Sequence, residues 1–545
     1  MWPLVPARRP SWPFLESGAM STPDRRAEAA FLDVPGMLAE AAAAHPDAPA
    51  VFDGERRVGF AEFDAAVDRV AAALQRNGLG PGAVVAIIAA ASAEYLYAFF
   101  GALRAGVAVA PLAPGSTAQQ LAGMLADCEA RIAFLDADAA ATLRAAPLPA
   151  SAKLVHLDDS AGAEAFSDWV ASPGTRPAPV HIDPAWPFNI IYSSGTTGTP
   201  KGIVQPHAMR WAHVRRGSAT GYAPGSVTLI ATPLYSNTTL VALIPSLAWG
   251  GAVVLMKKFD ALAYLEGAAR HRATHTMLVP VQYQRLMAHP RFDEFDLSAF
   301  VTKFCTSAPF RAELKADVLR RWPGGLTEYY GMTEGGGTCI LHCHLHPGKL
   351  HTVGPPSEEH DIRLIDEAGR ELPRDSVASG ASGEVVGRSP GMMCGYHRQP
   401  AKSAEAEWFD EQGRRYIRTG DIGHFDEDGF LVLTDRRKDM VISGGFNIYP
   451  SDLEAVLRRH PAVADVAVFG VPSEQWGETP VAVVVLNADA TAIDAAKDAE
   501  TLREWANAQL GKTQRLSALR LAAELPRSAI GKVLRRELRE GWLAA

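Results

Sequence analysis

Residues 192–202 read YSSGTTGTPKG and follow an apolar strand candidate, Phe188 to Tyr192. The three glycines let the backbone approach a ligand closely and turn its N–H groups toward it, and the hydroxyl side chains add donors. Lys201 supplies a positive charge. The segment is not a Walker A loop, because Lys201 is followed by Gly202 rather than by serine or threonine. This chemistry suits a polyphosphate, although composition alone also fits a flexible surface loop.

Short apolar runs alternate with helical patterns on both sides of this segment. Strands separated by helices predict a parallel sheet with both faces covered. The predicted helices are 60–77, 93–104, 119–130 and 450–459, and the predicted strands are 84–89, 107–112, 132–136, 188–192, 227–232, 252–256, 276–279, 466–469 and 481–486.

Length and composition limit the function classes. A chain of 545 residues is expected to form more than one domain. A net charge of −8 argues against nucleic acid as the main partner, because a phosphate backbone selects for a basic surface. Five cysteines, an odd and small number, indicate reduced thiols and a cytoplasmic location. The sequence contains no run of about 18 apolar residues, so no membrane span is predicted.

The first residues differ from the rest of the chain. Residues 1–18 contain four prolines and no continuous apolar core of a signal peptide. We therefore expect residues 1–30 to be a disordered extension, with Met20 as an alternative initiator.

The segment 192–202 resembles the first core motif of the adenylate-forming superfamily, which includes acyl-CoA synthetases, peptide-synthetase adenylation domains and beetle luciferases. The resemblance runs from about residue 31 to about residue 540. It implies an α/β fold, with a large N-terminal domain of mixed or parallel sheets flanked by helices and a small, mobile α+β C-terminal domain. The implied divisions are an AMP-binding domain at 31–434, a hinge at 435–440 and a cap at 441–545. The ATP contacts implied in this motif are Ser193, Ser194, Gly195, Thr196, Thr197, Gly198 and Lys201.

Residues 329–334, YYGMTE, resemble the second core motif. The resemblance implies that Tyr330 lies against adenine, that Thr333 contacts the α-phosphate, and that Glu334 holds Mg²⁺ together with Thr197. A hard cation prefers carboxylate and phosphate oxygens, so these roles are chemically consistent. Read alone, the segment is equally a turn with a solvated glutamate. Further implied ATP contacts are Ser307, Ala308, Pro309, Glu328, Tyr329 and Gly331.

Three later segments complete the resemblance: YIRTGD at 416–421, DRRKDMVISGG at 435–445 and PRSAIGK at 526–532. By resemblance, Asp421 binds the ribose hydroxyls, as an ionised carboxylate can. Arg436 reaches the ribose or phosphate side, and Lys438 is the hinge residue. Lys532 bridges the carboxylate and the α-phosphate, where one charge offsets a repulsion of about 4 kcal/mol at ~4 Å and an effective dielectric near 20. The residues implied for coenzyme A are Ser443, Gly444, Gly445 and Phe446.

The acid pocket is expected around Tyr235, Ser236, Asn237, Thr238 and Gly331. Many relatives carry histidine at the position of Ser236, where the ring helps to gate the pocket, and serine is too small to do so by bulk. No basic residue in these segments stands out as a partner for a second carboxylate. A fatty or aryl monocarboxylic acid is therefore favoured, with the orientations of His207 and Arg210 left open.

The resulting prediction is an ATP-dependent, AMP-forming acid–CoA ligase that uses ATP, Mg²⁺ and coenzyme A. Its expected partners are a small carboxylic acid and CoA, without nucleic acid or a membrane span, and a homodimer is compatible with the sequence. The main alternative is a stand-alone adenylation enzyme that loads a separate carrier protein. Luciferase-type oxygenation and a non-catalytic binding protein share the fold. The complete set of charged motif residues argues against a binding protein without catalysis.

Overall fold

The structure is a computed structural model that describes residues 25–147, 152–160, 164–193, 201–373, 376, 380–436, 439–443, 446–474, 476–487, 495–510, 514–528 and 531–544. The strands are β1 (Pro49–Asp53), β2 (Arg56–Gly59), β3 (Val84–Ile88), β4 (Ala108–Pro111), β5 (Ile132–Leu135), β6 (Lys153–His156), β7 (Glu164–Ala165), β8 (Pro187–Ser193), β9 (Lys201–Pro206), β10 (Val227–Ile230), β11 (Ala252–Leu255), β12 (His275–Leu278), β13 (Thr302–Cys305), β14 (Gly325–Tyr330), β15 (Cys339–His342), β16 (Asp361–Ile365), β17 (Gly383–Arg388), β18 (Gly395–Tyr396), β19 (Glu407–Phe409), β20 (Arg415–Phe425), β21 (Leu431–Arg436), β22 (Val441–Ser443), β23 (Phe446–Ile448), β24 (Val463–Ser473), β25 (Gly477–Leu486) and β26 (Ala518–Leu521).

The α-helices are α1 (Val34–Ala44), α2 (Phe60–Arg76), α3 (Ala93–Arg104), α4 (Ala118–Asp127), α5 (Ala137–Leu143), α6 (Phe166–Trp169), α7 (His207–Gly217), α8 (Asn237–Ala248), α9 (Ala261–Arg270), α10 (Pro280–Met287), α11 (Ala312–Arg321), α12 (Pro400–Glu405), α13 (Pro450–Arg458), α14 (Ala495–Asn507) and α15 (Arg535–Ala544). Among the described residues, no helix is both long enough and apolar enough to cross a bilayer.

Two eight-stranded sheets form the large N-terminal domain, with strand orders β18-β9-β8-β4-β3-β5-β6-β7 and β15-β14-β13-β12-β10-β11-β1-β2. Their inner strands run parallel except β9, which is antiparallel to β8, and antiparallel strands close three of the four edges. The inner strands are nearly continuous apolar runs, because helices cover both faces. Phe63 and Phe99 of α2 and α3 lie in this core, each in edge or tilted contact with Phe100.

The parallel arrangement of the second sheet positions the site. Three of the predicted segments begin where β10, β13 and β14 end: residues 232–239, 306–309 and 329–334. Because the carboxyl ends of parallel strands share one edge of a sheet, these segments converge on one crevice.

A third, antiparallel sheet has the order β16-β17-β20-β19, with β21 paired to β20. The sequence patterns did not predict it, because its strands carry alternating polar residues rather than apolar runs. The small C-terminal domain contains the sheet β23-β22-β25-β24, with β26 parallel to β25. Helices α13 and α14 pack their apolar side chains, such as Leu457 and Leu502, against it.

The predicted helices and strands are confirmed as elements, and most differ only at their ends. The helix predicted at 93–104 is observed at Ala93–Arg104, where Ser92 caps its N-terminus by accepting the Tyr95 N–H. The strand predicted at 466–469 is longer, Val463–Ser473, because its ends lose the apolar pattern while keeping their antiparallel partner β25. The predicted fold class, a large α/β domain followed by a small α+β domain, is also confirmed.

Candidate active site

A cavity of about 2090 Å³ lies between the large and the small domain. Charged side chains from four of the sequence motifs line it: Lys201, Glu334, Asp421 and Lys532. They come from four different places in the chain, namely the start of β9, the loop after β14, the middle of β20 and the loop before α15. The fold therefore brings charged residues from four distant segments to one cavity.

Tyr396 connects Lys201 with Glu334. Its hydroxyl donates a hydrogen bond to Glu334 Oε1 at 2.9 Å, and the Lys201 Nζ lies 4.9 Å from the centroid of its ring. Strand β18 places the tyrosine there by pairing Tyr396 with Ile203 of β9. Sequence reasoning missed this residue, because a lone Gly-Tyr pair carries no recognisable pattern.

Asp421 is held by Tyr330, whose hydroxyl donates to Asp421 Oδ2 at 2.9 Å. Burial first, and the neighbouring carboxylate second, raise the pKa of Tyr330 well above its usual value, so the phenol stays protonated. The Asp421 N–H donates to Thr419 Oγ1 at 3.0 Å, which fixes the local turn. Arg436 lies opposite Asp421 in the β20–β21 register, and its side chain is outside the described residues.

Behind the second motif lies a buried polar network. Gln205 Nε2 donates to the Thr333 carbonyl at 2.6 Å and to Asn237 Oδ1 at 3.3 Å. Gln205 Oε1 accepts from Asn189 Nδ2 at 3.0 Å, and Arg210 donates to both Gln205 and Asn189. The network thus joins strands β8 and β9 to the second motif and to Asn237 of the predicted acid pocket. Arg210, whose orientation the sequence left open, points into this network, and burial lowers its pKa to about 9.

The predicted acid-pocket residues Tyr235, Ser236, Asn237, Thr238 and Gly331 all line the cavity. Ser236 is the N-cap of α8 and accepts the Thr238 N–H at 3.3 Å, so its hydroxyl serves the helix. The Thr238 and Ser307 hydroxyls are 2.6 Å apart. Ser307 holds a φ of +80°, a costly conformation for a residue with a side chain, as often found at ligand sites. Ala308 and Pro309 continue the lining.

Glu328 also borders the cavity, yet its carboxylate is buried 2.5 Å from Lys315 Nζ. Desolvation raises the pKa of Glu328 to about 7, and the lysine opposes that rise. Its side chain is thus engaged in an internal ion pair, and its predicted contact with ATP stays a prediction. Tyr329 next to it stacks on Phe304 with ring centroids 5.5 Å apart.

Lys532 reaches the cavity because its loop rests against the large domain. Gly531 has a φ of +76°, and a Cβ at this position would come within 2.7 Å of Val281 Cγ1, at the start of α10. The Lys532 N–H donates to Ser528 Oγ at 3.2 Å. Across the domain boundary, Arg311 and Asp465 form an ion pair at 3.5 Å.

The remaining predicted site residues are less fully described. Ser443 pairs with Phe446 in the β22–β23 hairpin and is not part of the cavity lining. The side chains of Ser193, Arg436 and Phe446 lie outside the described residues, as do Ser194, Gly195, Thr196, Thr197, Gly198, Lys438, Gly444 and Gly445 entirely.

Comparison with known proteins matches residues 38–397 to the AMP-binding enzyme family and residues 452–532 to the AMP-binding enzyme C-terminal domain. The chain is 33% identical over 502 residues to a feruloyl-CoA synthase from an Amycolatopsis species, covering 91% of this chain and 96% of that protein. It is 30% identical over 505 residues to the fatty acid–acyl-carrier-protein ligase ScoC of Streptomyces coeruleorubidus, covering 91% and 93%. The crystal structure of ATP-bound MatB from Rhodopseudomonas palustris aligns with a TM-score of 0.81 at 29% identity, covering 94% of this chain and 99% of that one. The chain therefore belongs to the AMP-binding enzyme family and, within the adenylate-forming superfamily, to the AMP-forming acid–thiol ligases of the acyl-CoA synthetase type.

Proposed function

We propose that this enzyme activates an organic acid with ATP as its acyl-adenylate and transfers the acyl group to the thiol of coenzyme A. One observation carries the assignment of residues: Lys201, Glu334, Asp421 and Lys532 line a single cavity at the domain boundary. That cavity is large enough for a nucleotide together with an acid.

In the first step a carboxylate oxygen of the acid attacks the α-phosphorus, and pyrophosphate leaves with the electrons of the broken P–O bond. The nucleophile is already an anion, so the protein needs no general base and acts by positioning and charge stabilisation. Lys532 places its ammonium between the two anions, and Lys201 faces the phosphates from the start of β9. Asp421 accepts from the ribose hydroxyls, with Tyr330 holding the carboxylate and lying against the base.

Magnesium fits this donor set. Mg²⁺ is commonly held by one or two carboxylates together with phosphate oxygens, and Glu334 supplies one carboxylate on the cavity wall, fixed by the Tyr396 hydroxyl. Thr197, the second predicted ligand, lies outside the described residues. When bound, the ion would neutralise phosphate charge that repels the incoming acid.

In the second step the CoA sulfur attacks the acyl carbon, AMP leaves with the bonding electrons, and the thiol proton goes to solvent. We propose that the small domain turns about Lys438 between the steps. This motion would withdraw Lys532 and bring residues 443–446 toward the pantetheine arm, so that one adenylate pocket serves two sets of partners. The position of Ser443 away from the cavity while Lys532 lines it is consistent with the first of these two states.

A carrier protein is the alternative acceptor, supported by the similarity to ScoC. The deciding experiment measures acid-dependent AMP release from ATP, with free CoA and with a holo-carrier protein as separate acceptors. Pyrophosphate exchange into ATP without any thiol isolates the first step. Exchange that depends on an acid, followed by faster AMP release with CoA than with the carrier, supports the proposal. Absence of exchange with every acid tested contradicts it.

A further inference from the structure

One wall of the cavity is built by the second half of α7 and the segment that follows it. Helix α7 contributes its polar side chains from successive turns, because residues three apart share one face of a helix. Phe304 and Tyr329, at the ends of β13 and β14, line the same cavity. The α7-side residues on this wall are Ala212, His213, Arg216, Gly217, Thr220 and Tyr222.

Three polar atoms on this wall are buried and have no hydrogen-bond partner among the described residues: Arg216 Nη1, His213 Nδ1 and the Tyr222 hydroxyl. Leaving a buried donor or acceptor unpaired is costly, and more so for a charged group. Native proteins pair such groups with protein, water or ligand. Three such atoms on residues that line one cavity indicate that a polar group of the ligand completes their hydrogen bonds.

The charge of the wall is positive and unbalanced. The ionisable groups that act on Arg216 are Tyr329 and Arg215, and those that act on His213 are Arg216, Arg210 and His360. No carboxylate is among these described neighbours. Glu359, which precedes His360 in the sequence, pairs with Arg215 instead. A guanidinium remains protonated even where burial lowers its pKa, so the wall presents a cation without a counter-ion.

The space in front of this cation is bounded by aromatic rings. Phe304 stacks on Tyr329 at 5.5 Å, and Tyr222 lies 6.2 Å from Phe304. Tyr222 itself is fixed by stacking on His275 at 4.4 Å. These flat apolar surfaces suit an aromatic or short aliphatic body and would not compensate a charge.

We propose that the acid activated here carries a second anionic group, a carboxylate or a sulfonate, which Arg216 binds while the first carboxylate is adenylated. Tyr222 and His213 add neutral hydrogen bonds to that group. This inference rests on the proposed ligase function and narrows its substrate. The sequence alone favoured a monocarboxylic acid because no basic partner stood out near the acid-pocket segments, and Arg216 is such a partner.

The test compares matched acids by AMP release with CoA. One series runs from succinate to suberate, each against the monocarboxylic acid of equal length. A second sets phthalate isomers and sulfobenzoates against toluates, which separates carboxylate from sulfonate. We expect higher kcat/KM for the dianionic member of a pair. Arg216→Met should lower kcat/KM for that acid about 30-fold or more, as for loss of one partner of a buried charge pair, and leave the monoanionic acid unchanged or improved.

Arg215→Met is the matched control, because Arg215 is the neighbouring arginine, pairs with Glu359 and lies outside the cavity lining. It should leave the dianion-to-monoanion ratio unchanged. Arg216→Met should unfold at the same or a higher temperature than the parent without acid, since it removes an unpaired buried charge. The preferred dianion should raise the midpoint of the parent and not that of the variant.

The outcomes separate the two levels of the proposal. Turnover of monoanionic acids alone, or an equal loss for both acids in Arg216→Met, overturns the second-anion site and leaves the ligase function intact. If neither series nor any other acid supports AMP release, the proposed function itself fails. If Arg216→Met does not fold, Arg216→Lys supplies the comparison: it should retain the preference for dianions in weakened form, and an unchanged ratio would count against the proposal.

Discussion

Tyr396→Phe tests whether Glu334 must be held in place for ATP to react. The substitution removes only the hydroxyl that donates to Glu334 Oε1 at 2.9 Å. The ring remains, so its contact with Lys201 Nζ at 4.9 Å is retained. The change therefore isolates one hydrogen bond to one carboxylate.

A hydrogen bond to a charged group contributes about 1.5–3 kcal/mol. Tyr396 is only partly buried, so we expect the lower half of that range, about 1.5–2 kcal/mol. If the bond orients Glu334 toward the metal and phosphates, this energy appears in the first step. It corresponds to a decrease of roughly 10- to 30-fold in kcat/KM for MgATP. The KM for the acid should change little, because the acid pocket lies on other elements.

The assay is acid-dependent exchange of labelled pyrophosphate into ATP, followed as a function of MgATP concentration. Tyr416→Phe is the control, since the Tyr416 hydroxyl donates to the Asp361 carboxylate at 2.5 Å and lies outside the cavity lining. The control should lower thermal stability without slowing exchange. Thioester formation from supplied acyl-AMP should be the same in both variants and the parent.

Two results would contradict this role of the Tyr396 hydroxyl: pyrophosphate exchange by Tyr396→Phe at the parent rate, or thioester formation from acyl-AMP that is slowed as much as exchange. The first result would mean that the hydroxyl does not position Glu334. The second would indicate a general structural defect.

Lys532→Ala should slow pyrophosphate exchange at least about 100-fold and leave thioester formation from supplied acyl-AMP largely intact, because the lysine is needed only while two anions meet. An equal loss in both steps would contradict this role. Asp421→Ala should weaken ATP binding by roughly 10-fold or more, as expected for loss of charge-assisted bonds to ribose, and titration calorimetry with ATP that gives an unchanged Kd would remove Asp421 from the nucleotide site. His275 is buried, and desolvation lowers its pKa to about 4, below the unfolded value of about 6.5. Its neutral ring therefore contributes full stability above about pH 6.5, and about 2 kcal/mol of the free energy of unfolding is lost as the pH falls from 6.5 to 4.5. His275→Gln should therefore show a smaller drop in thermal midpoint between pH 6.5 and 4.5 than the parent, and an identical drop would show that His275 does not titrate in this way.

The sequence predicted those helices and strands whose own apolar pattern matches the face that they bury in the folded protein. Strand β3 and helix α3 could be located because a β-branched apolar run and a helical apolar period each meet a covered sheet face. The third sheet could not, since β20 alternates partly exposed positions and owes its existence to pairing with β17 and β21. Its strands are defined by distant partners rather than by their own composition.

The residues of the candidate site also fall into two groups, those that the sequence predicted and those that it did not. Residues within contiguous motifs, such as Glu334 and Asp421, could be named from the sequence together with a plausible role. Tyr396, Gln205 and Arg216 could not, because each contacts a partner more than 60 positions away or lines a cavity that distant segments form. Folding brings such residues together, and no short sequence window contains both members of the pair.

The bare backbone of Gly531 against Val281 has a consequence for turnover. A side chain at Gly531 would collide with Val281 of the large domain. The loop that carries Lys532 can therefore approach the large domain only with bare backbone at this position, which buries little apolar area. Arg311 and Asp465, which meet across the same boundary, are both partly open to water, and such a pair stabilises by about 1 kcal/mol or less. On the proposed mechanism, in which the small domain turns about Lys438 between the two steps, these contacts would break at little cost once the adenylate and pyrophosphate have formed.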